Sequence, residues 1–317
     1  MTLSSSTNRI SVISQPDKAG LAAQPSHAER RTVTTIPPAS SAPAPARVAR
    51  RPDITGAVRA VMLMVVSLAV MFAAYLLFVQ SSAGQRLDQM VVTRTGQGPL
   101  IRETVSSVLQ LVTVGLIVLV LCVCVVIAAL RRRWELAAGA FVIVAGANVS
   151  TQGLKRVLVS RPDFGYGTEN SLPSGHVTVV MSLVLALLLV LPSAARWVME
   201  LGGSVAVAVI GVGVVVTTWH YPSDVISALA VALAWGFLVL AAISLLGVDR
   251  PIRRQAVTTL ALGLGLLLSA GTFIAFGVRP GGSLKDFAIL AVTMAGLATA
   301  GALSVGVFTR MLDARVA

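Results

Sequence analysis

The sequence predicts an all-α, polytopic membrane helix bundle of about eight transmembrane helices, and three observations predict it. Of 317 residues, 56% are hydrophobic and only 12% charged, where a soluble domain carries about 25% charge; the mean hydropathy is +0.85. The apolar residues form continuous runs and do not alternate, which excludes barrel strands. Each run approaches the roughly 20 residues that a helix needs to cross a hydrocarbon core about 30 Å thick.

The elements follow in chain order. Residues 1–56 read as a disordered tail, with Pro, Ser and Ala dominating stretches such as Pro37–Pro45 and no buried period. No apolar stretch opens the chain, so a cleaved signal peptide is not expected. The predicted spans are 57–80, 105–130, 135–155, 175–192, 197–218, 223–247, 255–277 and 286–309. The first six, 57–247, form a core, and 248–317 adds two further C-terminal spans. Gly202, Gly203, Gly211 and Gly213 are expected where helices pack closely. Cys122 and Cys124 share one apolar run, so neither a disulfide framework nor a zinc site can be built from them.

The net charge of +12 does not require nucleic acid, because membrane proteins gather Arg and Lys in their cytoplasmic loops. With the tail inside, the basic residues divide 17 to 8 in favour of that side, Arg196 among the 17. The clusters Arg131–Arg133 and Arg250–Arg254 weigh most, since they lie in short loops. Both termini are therefore expected in the cytoplasm of a multi-pass protein in the cell membrane.

Three segments then fall at the outer ends of the spans, and they hold two of the three histidines. Ionisable groups at such depth are costly and mark candidate sites. In Leu172-Pro173-Ser174-Gly175-His176, Ser174 suits a helix N-cap and Gly175 permits close backbone approach. The free N–H groups of that helix start can receive a phosphate. In Trp219-His220-Tyr221-Pro222-Ser223-Asp224, Pro222 suits the first helical position and puts Asp224 at the third. A carboxylate there reaches back over the helix start and can hold one nitrogen of His220, leaving the other to attack. In Lys155-Arg156-Val157-Leu158-Val159-Ser160-Arg161-Pro162, three cations run against the charge trend, and Pro162 marks a helix break. Fixed cations beside paired histidines suit a phosphoryl group.

In order and spacing these segments resemble the membrane-bound branch of the type 2 phosphatidic acid phosphatases, relatives of the vanadium haloperoxidases. Its signatures run Lys-x6-Arg-Pro, Pro-Ser-Gly-His and Ser-Arg-x5-His-x3-Asp. The second is intact as Pro173–His176, and the His-x3-Asp half of the third as His220 to Asp224. The likeness covers roughly 105–247. Two departures stand out. Only five residues separate Lys155 from Arg161, so Leu154 holds the family's Lys position. In a regular helix this leaves Lys155 and Arg161 about 120° apart. Gly213 and Val214 stand where the Ser-Arg pair falls, and no Arg or Lys occurs between Arg196 and Arg250.

The resemblance implies metal-independent hydrolysis, with no cofactor, of a lipid phosphate or pyrophosphate at the extracytoplasmic face. Phosphatidate, phosphatidylglycerol phosphate and polyprenyl pyrophosphates are the family's substrates. It implies His220 as nucleophile through a phosphohistidine, Asp224 as its orienting group, and His176 as acid and then base. Lys155, Arg161, Ser174 and the Gly175 amide would bind the phosphoryl oxygens, with Arg156 the spare cation for the absent Arg. Two alternatives remain: a head-group phosphotransferase using the same intermediate, and an impaired protein that binds or moves phosphorylated lipid. The partners expected are that lipid and the bilayer, with no nucleic acid.

Overall fold

The computed structural model describes residues 51–95, 99–166, 169–248 and 283–314, with isolated positions between 259 and 271. Among them every regular element is helical: α1 (Ile54–Ala74), α2 (Ser82–Thr93), α3 (Pro99–Leu109), α4 (Val114–Leu130), α5 (Trp134–Gly153), α6 (Gly175–Val190), α7 (Ser193–Val216), α8 (Pro222–Leu245) and α9 (Leu284–Asp313). A π-turn extends α1 over Tyr75–Val79, and another extends α5 over Leu154–Leu158.

Five of these helices are long and apolar enough to cross a membrane, and a bent pair makes six. The protein is a polytopic helical membrane protein. The expected span 255–277 lies almost wholly outside the described residues, as do residues 1–50. The first helix starts earlier than expected. Asp53 accepts from the Gly56 N–H at 2.8 Å and caps it, while its own N–H donates to Ser244 O. The expected run 105–130 is broken: its two helical parts, Arg102–Leu109 and Val114–Leu130, meet at 49°. Thr113, extended, caps α4 by accepting from Leu116 N, so the chain between Gln110 and Thr113 ends one helix and starts the next.

Helices α6 and α8 form the centre. Twelve of the sixteen α6 residues are buried, and α8 is 72% buried across its most apolar window, against 11% for the first span. Lipid-like exposure of Val58, Val61, Met62 and Val65 on α1 fits that peripheral place. Small residues set the spacing. A Cβ on Gly146 would lie 2.4 Å from the Trp235 ring, so only glycine lets α5 close on α8, where Trp235 Nε1 donates to Ser150 Oγ. Gly203 packs against Val184 as expected of it, whereas Gly202 faces open space.

The amphipathic α2 was not expected. Ser81 caps it by accepting from Gly84 N at 3.0 Å. Its start is pressed against the end of the first span, where a Cβ on Gly84 would stand 1.8 Å from Leu77 O. Arg196 is also not the loop cation it was counted as. It is 1% exposed, and its guanidinium meets Asp313 of α9 at 2.5 Å.

Candidate active site

The site gathers at the junction of three helix ends. α7 stops at Thr217, and Thr218 takes a left-handed conformation with φ 63°, uncommon for a β-branched residue. That reversal lets both Trp219 N and His220 N donate to Val214 O. His220 is thereby folded back over the end of α7 and is 9% exposed.

α8 starts two residues after His220, with Pro222 at its first position. Asp224 reaches back over this start, and its Oδ2 lies 3.0 Å from His220 Nδ1. The same oxygen accepts from Tyr221 N at 3.0 Å and from Ser171 Oγ at 2.6 Å. A fully buried carboxylate is tolerable because these donors replace lost water. No local signal in the sequence points to Ser171, which is 53 residues away.

The α6 start lies alongside. Ser174 N donates to Asp224 O at 3.1 Å, which locks the Pro-Ser-Gly-His segment to α8 through the backbone. Ser174 occupies the N-cap position, but its side chain does not cap the helix. Its Oγ is buried and, among the described residues, has no hydrogen-bond partner. Nothing crowds Gly175: a Cβ there would meet only Gln152 Nε2, at 3.9 Å. The next residue, His176, places its ring 5.4 Å from that of Trp219, and it lies close enough to His220 and Lys155 to feel their charges. One turn into α6, the buried Thr178 and Thr151 hydroxyls meet at 3.0 Å and tie α6 to α5.

The cations divide. Lys155 is half-buried and senses the charge of Asp224. The expected 120° mismatch with Arg161 does not arise, for a physical reason. The α5 extension is a π-turn closed by Val159 N to Leu154 O, and the helix ends at Leu158. Arg161 therefore lies in a loop that the 3.6-residue period does not govern. Asn170 shapes this loop by donating to Lys155 O and Val159 O, both at 3.1 Å. Arg161 is 7% exposed, and its guanidinium carbon lies 4.6 Å from the centre of the Tyr221 ring. Arg156 is placed differently: it is exposed and lines an open groove of about 490 Å³ with Asn148, Val149, Gln152, Gly153 and Val157.

Val214, where the resemblance puts an arginine, is fully buried among apolar side chains. A Cβ on the adjacent Gly213 would come within 3.1 Å of Val105 of α3. Among the described residues, no three His, Cys, Asp or Glu side chains come together as a metal-ligand set.

A histidine braced by a carboxylate, beside an uncovered helix start with cations on its flank, defines a class: a membrane helix bundle with a site suited to a phosphoryl group. The comparison with known families agrees. Residues 136–247, from α5 through the end of α8, match the PAP2 superfamily. Neither a curated protein nor a solved structure matches the chain.

Proposed function

We propose that the protein is a membrane lipid phosphatase, hydrolysing a lipid phosphate or pyrophosphate at the extracytoplasmic face through a phosphohistidine. The observation that carries this reading is the braced pair His220–Asp224, tied to the start of α6 through Ser174 N and Asp224 O. Asp224 fixes the proton on Nδ1, so Nε2 keeps its lone pair for phosphorus. As the Nε2–P bond forms, the P–O bond to the departing group breaks, and His176 gives that oxygen a proton. His176 then takes a proton from water, whose oxygen displaces His220 and releases phosphate. The Gly175 N–H, Ser174 Oγ, Lys155 and Arg161 would hold the phosphoryl oxygens as charge builds on them.

The test is phosphate release from phosphatidate, phosphatidylglycerol phosphate and a polyprenyl pyrophosphate by the purified protein. Release that disappears in His220→Ala supports hydrolysis, whereas head-group exchange without release supports a phosphotransferase. The apolar burial of Val214 favours the remaining reading, a protein that binds or moves phosphorylated lipid. Lipid binding without release or exchange would establish it.

The basic residues support an orientation with both termini in the cytoplasm and the site outside. A single cysteine at the exposed Glu169, with Cys122 and Cys124 replaced, should react with an impermeant thiol reagent in intact cells. Labelling only after lysis would reverse the orientation.

A further inference from the structure

The buried positions of α2 are Gly84, Gln85, Asp88 and Val91, which at 3.6 residues per turn fall within about 120° of arc and thus on one helix face. Two of them are polar, so this face is unsuited to lipid or to an apolar core. It is satisfied by the site instead. Two contacts hold the loop that carries Arg161, one on each side of it: Gln80 Nε2 donates to Ser160 O at 2.7 Å, and Gln85 Nε2 to Pro162 O at 2.9 Å. Two more hold the start of α8 on either side of Pro222. Tyr221 Oη donates to Gln89 Oε1 at 3.0 Å. Ser223 donates to Asp88 twice, from N at 3.3 Å and from Oγ at 2.5 Å. None of the four α2-side residues lies in the segment 136–247 that matches the family.

We propose that the segment Gln80–Gln89 is a clamp that sets the Arg161 loop against the His220–Asp224 pair, and that Asp88 is its positioning residue, favouring a bound phosphoryl anion when protonated and opposing it when ionised. The proposal rests on the phosphoryl reading of the site given above. Asp88 is 2% exposed. The titratable and charged groups on the elements packed around it are Asp224 and Tyr221 at the α8 start and Arg161 in the loop. Beyond the two ends of α2 are Tyr75 of the first span, bonded to Gln80, and Asp286 of α9, paired with Arg94. Burial pushes the Asp88 carboxyl up to about 7, and the negative charge of Asp224 adds to this. The Ser223 hydrogen bonds and the Arg161 charge act the other way. Its charge therefore changes in the neutral range. Once ionised, it stands as a second carboxylate beside Asp224 and takes a share of the Arg161 field that a phosphoryl group would otherwise use.

The experiment uses the full-length protein in phosphatidylcholine nanodiscs, with orthovanadate as a phosphoryl analogue. Its affinity is measured from pH 5.5 to 8.5 for wild type, Asp88→Asn and Asp88→Ala, alongside lipid-phosphate turnover. Ionisation of vanadate and of the histidines is common to all three proteins, so the ratio of wild type to Asp88→Asn isolates Asp88. The asparagine is nearly isosteric and can still bond to Ser223 N and Oγ. Wild type should bind about as tightly as Asp88→Asn at pH 5.5 and about tenfold more weakly at pH 8.5. Asp88→Ala, which loses the Ser223 bonds, should bind more weakly than Asp88→Asn at every pH. If Asp88→Ala fails to fold, the Asp88→Asn profile decides the matter alone. Parallel profiles for wild type and folded Asp88→Asn would overturn the proposal, because a merely structural Asp88 moves stability and not the pH dependence of binding. Vanadate binding with the expected profile but no lipid turnover would retain the clamp and remove the hydrolase reading. No vanadate binding at any pH would remove both.

Discussion

Two buried ionic clusters flank α7, and they are built for opposite ends. Near its first turn Arg196, 1% exposed, meets Asp313 at 2.5 Å, with the fully buried Glu200 one turn on. Beyond its last turn lies His220 with Asp224, Ser171 and, across α8, Asp88. In the first cluster a permanent cation meets a carboxylate directly and stitches α7 to α9. In the second, the carboxylate braces a histidine ring through Nδ1. Asp224 Oδ1 and Ser174 Oγ stay buried without a hydrogen-bond partner among the described residues, and a Cβ on Gly175 would meet only Gln152 Nε2, at 3.9 Å. Buried charge alone therefore does not distinguish a site from a strut. Room for a ligand beside the charge does.

The sharpest way to break this comparison is to remove one member of each cluster. His220→Ala should abolish turnover and any acid-labile phosphoenzyme, with only a modest loss of thermal stability. Arg196→Ala should leave two buried carboxylates without that cation and cost about 3–5 kcal/mol of stability, while any protein that still folds turns over normally. Melting curves and phosphate release on both variants check the pair. Arg196→Ala protein that is fully stable would mean that the first cluster is no strut.

A smaller effect separates the cations. Arg161→Ala should slow turnover about 100-fold or more, as expected for a direct contact to transition-state charge. Arg156→Ala should change it less than about threefold, because the Arg156 side chain lines the open groove on α5. Equal losses would show that Arg156 turns inward and serves as the spare cation.

Smaller again is the pH dependence that Asp88 brings to stability. Burial holds its carboxyl up at about 7 in the folded protein, against 3.8 for a free aspartate. The folded state thus holds a proton that the unfolded chain gives up. The stability it contributes is full below about pH 4 and is lost as pH rises through 7. Asp88→Asn should therefore melt higher than wild type at pH 8, with the gap closing by pH 4. A constant gap would show that charge is not the cause.

The smallest effect is expected at Thr218. Glycine there relieves the left-handed strain but enlarges the unfolded ensemble, so Thr218→Gly should shift stability by less than about 1 kcal/mol. A large loss in urea or thermal unfolding would mean that the Thr218 side chain holds the turn before His220.

Much of the site was legible because it is local. The reach of Asp224 back to His220 follows from Pro222 and the geometry of a single helix start. Helix periodicity misled where the helix ended: the π-turn at Leu154–Leu158 removed the premise of the Lys155–Arg161 mismatch. Ser174 was placed correctly and given the wrong bond, since a cap position does not decide where a hydroxyl points. The helix α2 was missed because it has no long apolar run. Its signals were faint, namely a Ser81 cap and a lone acid, Asp88, one turn beyond a small residue, Gly84.

By itself, the sequence determined that the chain is a helical membrane bundle and which segments hold its candidate site residues. Run length, charge bias and motif spacing are one-dimensional consequences of bilayer thickness and helix pitch. Only the tertiary structure decided which polar groups meet. Asp88 bonds Ser223 across 135 residues, and Arg196 pairs with Asp313 across 117. No local propensity encodes such pairings. They arise because a buried polar group must find a partner, and only the packing of the helices brings that partner within reach.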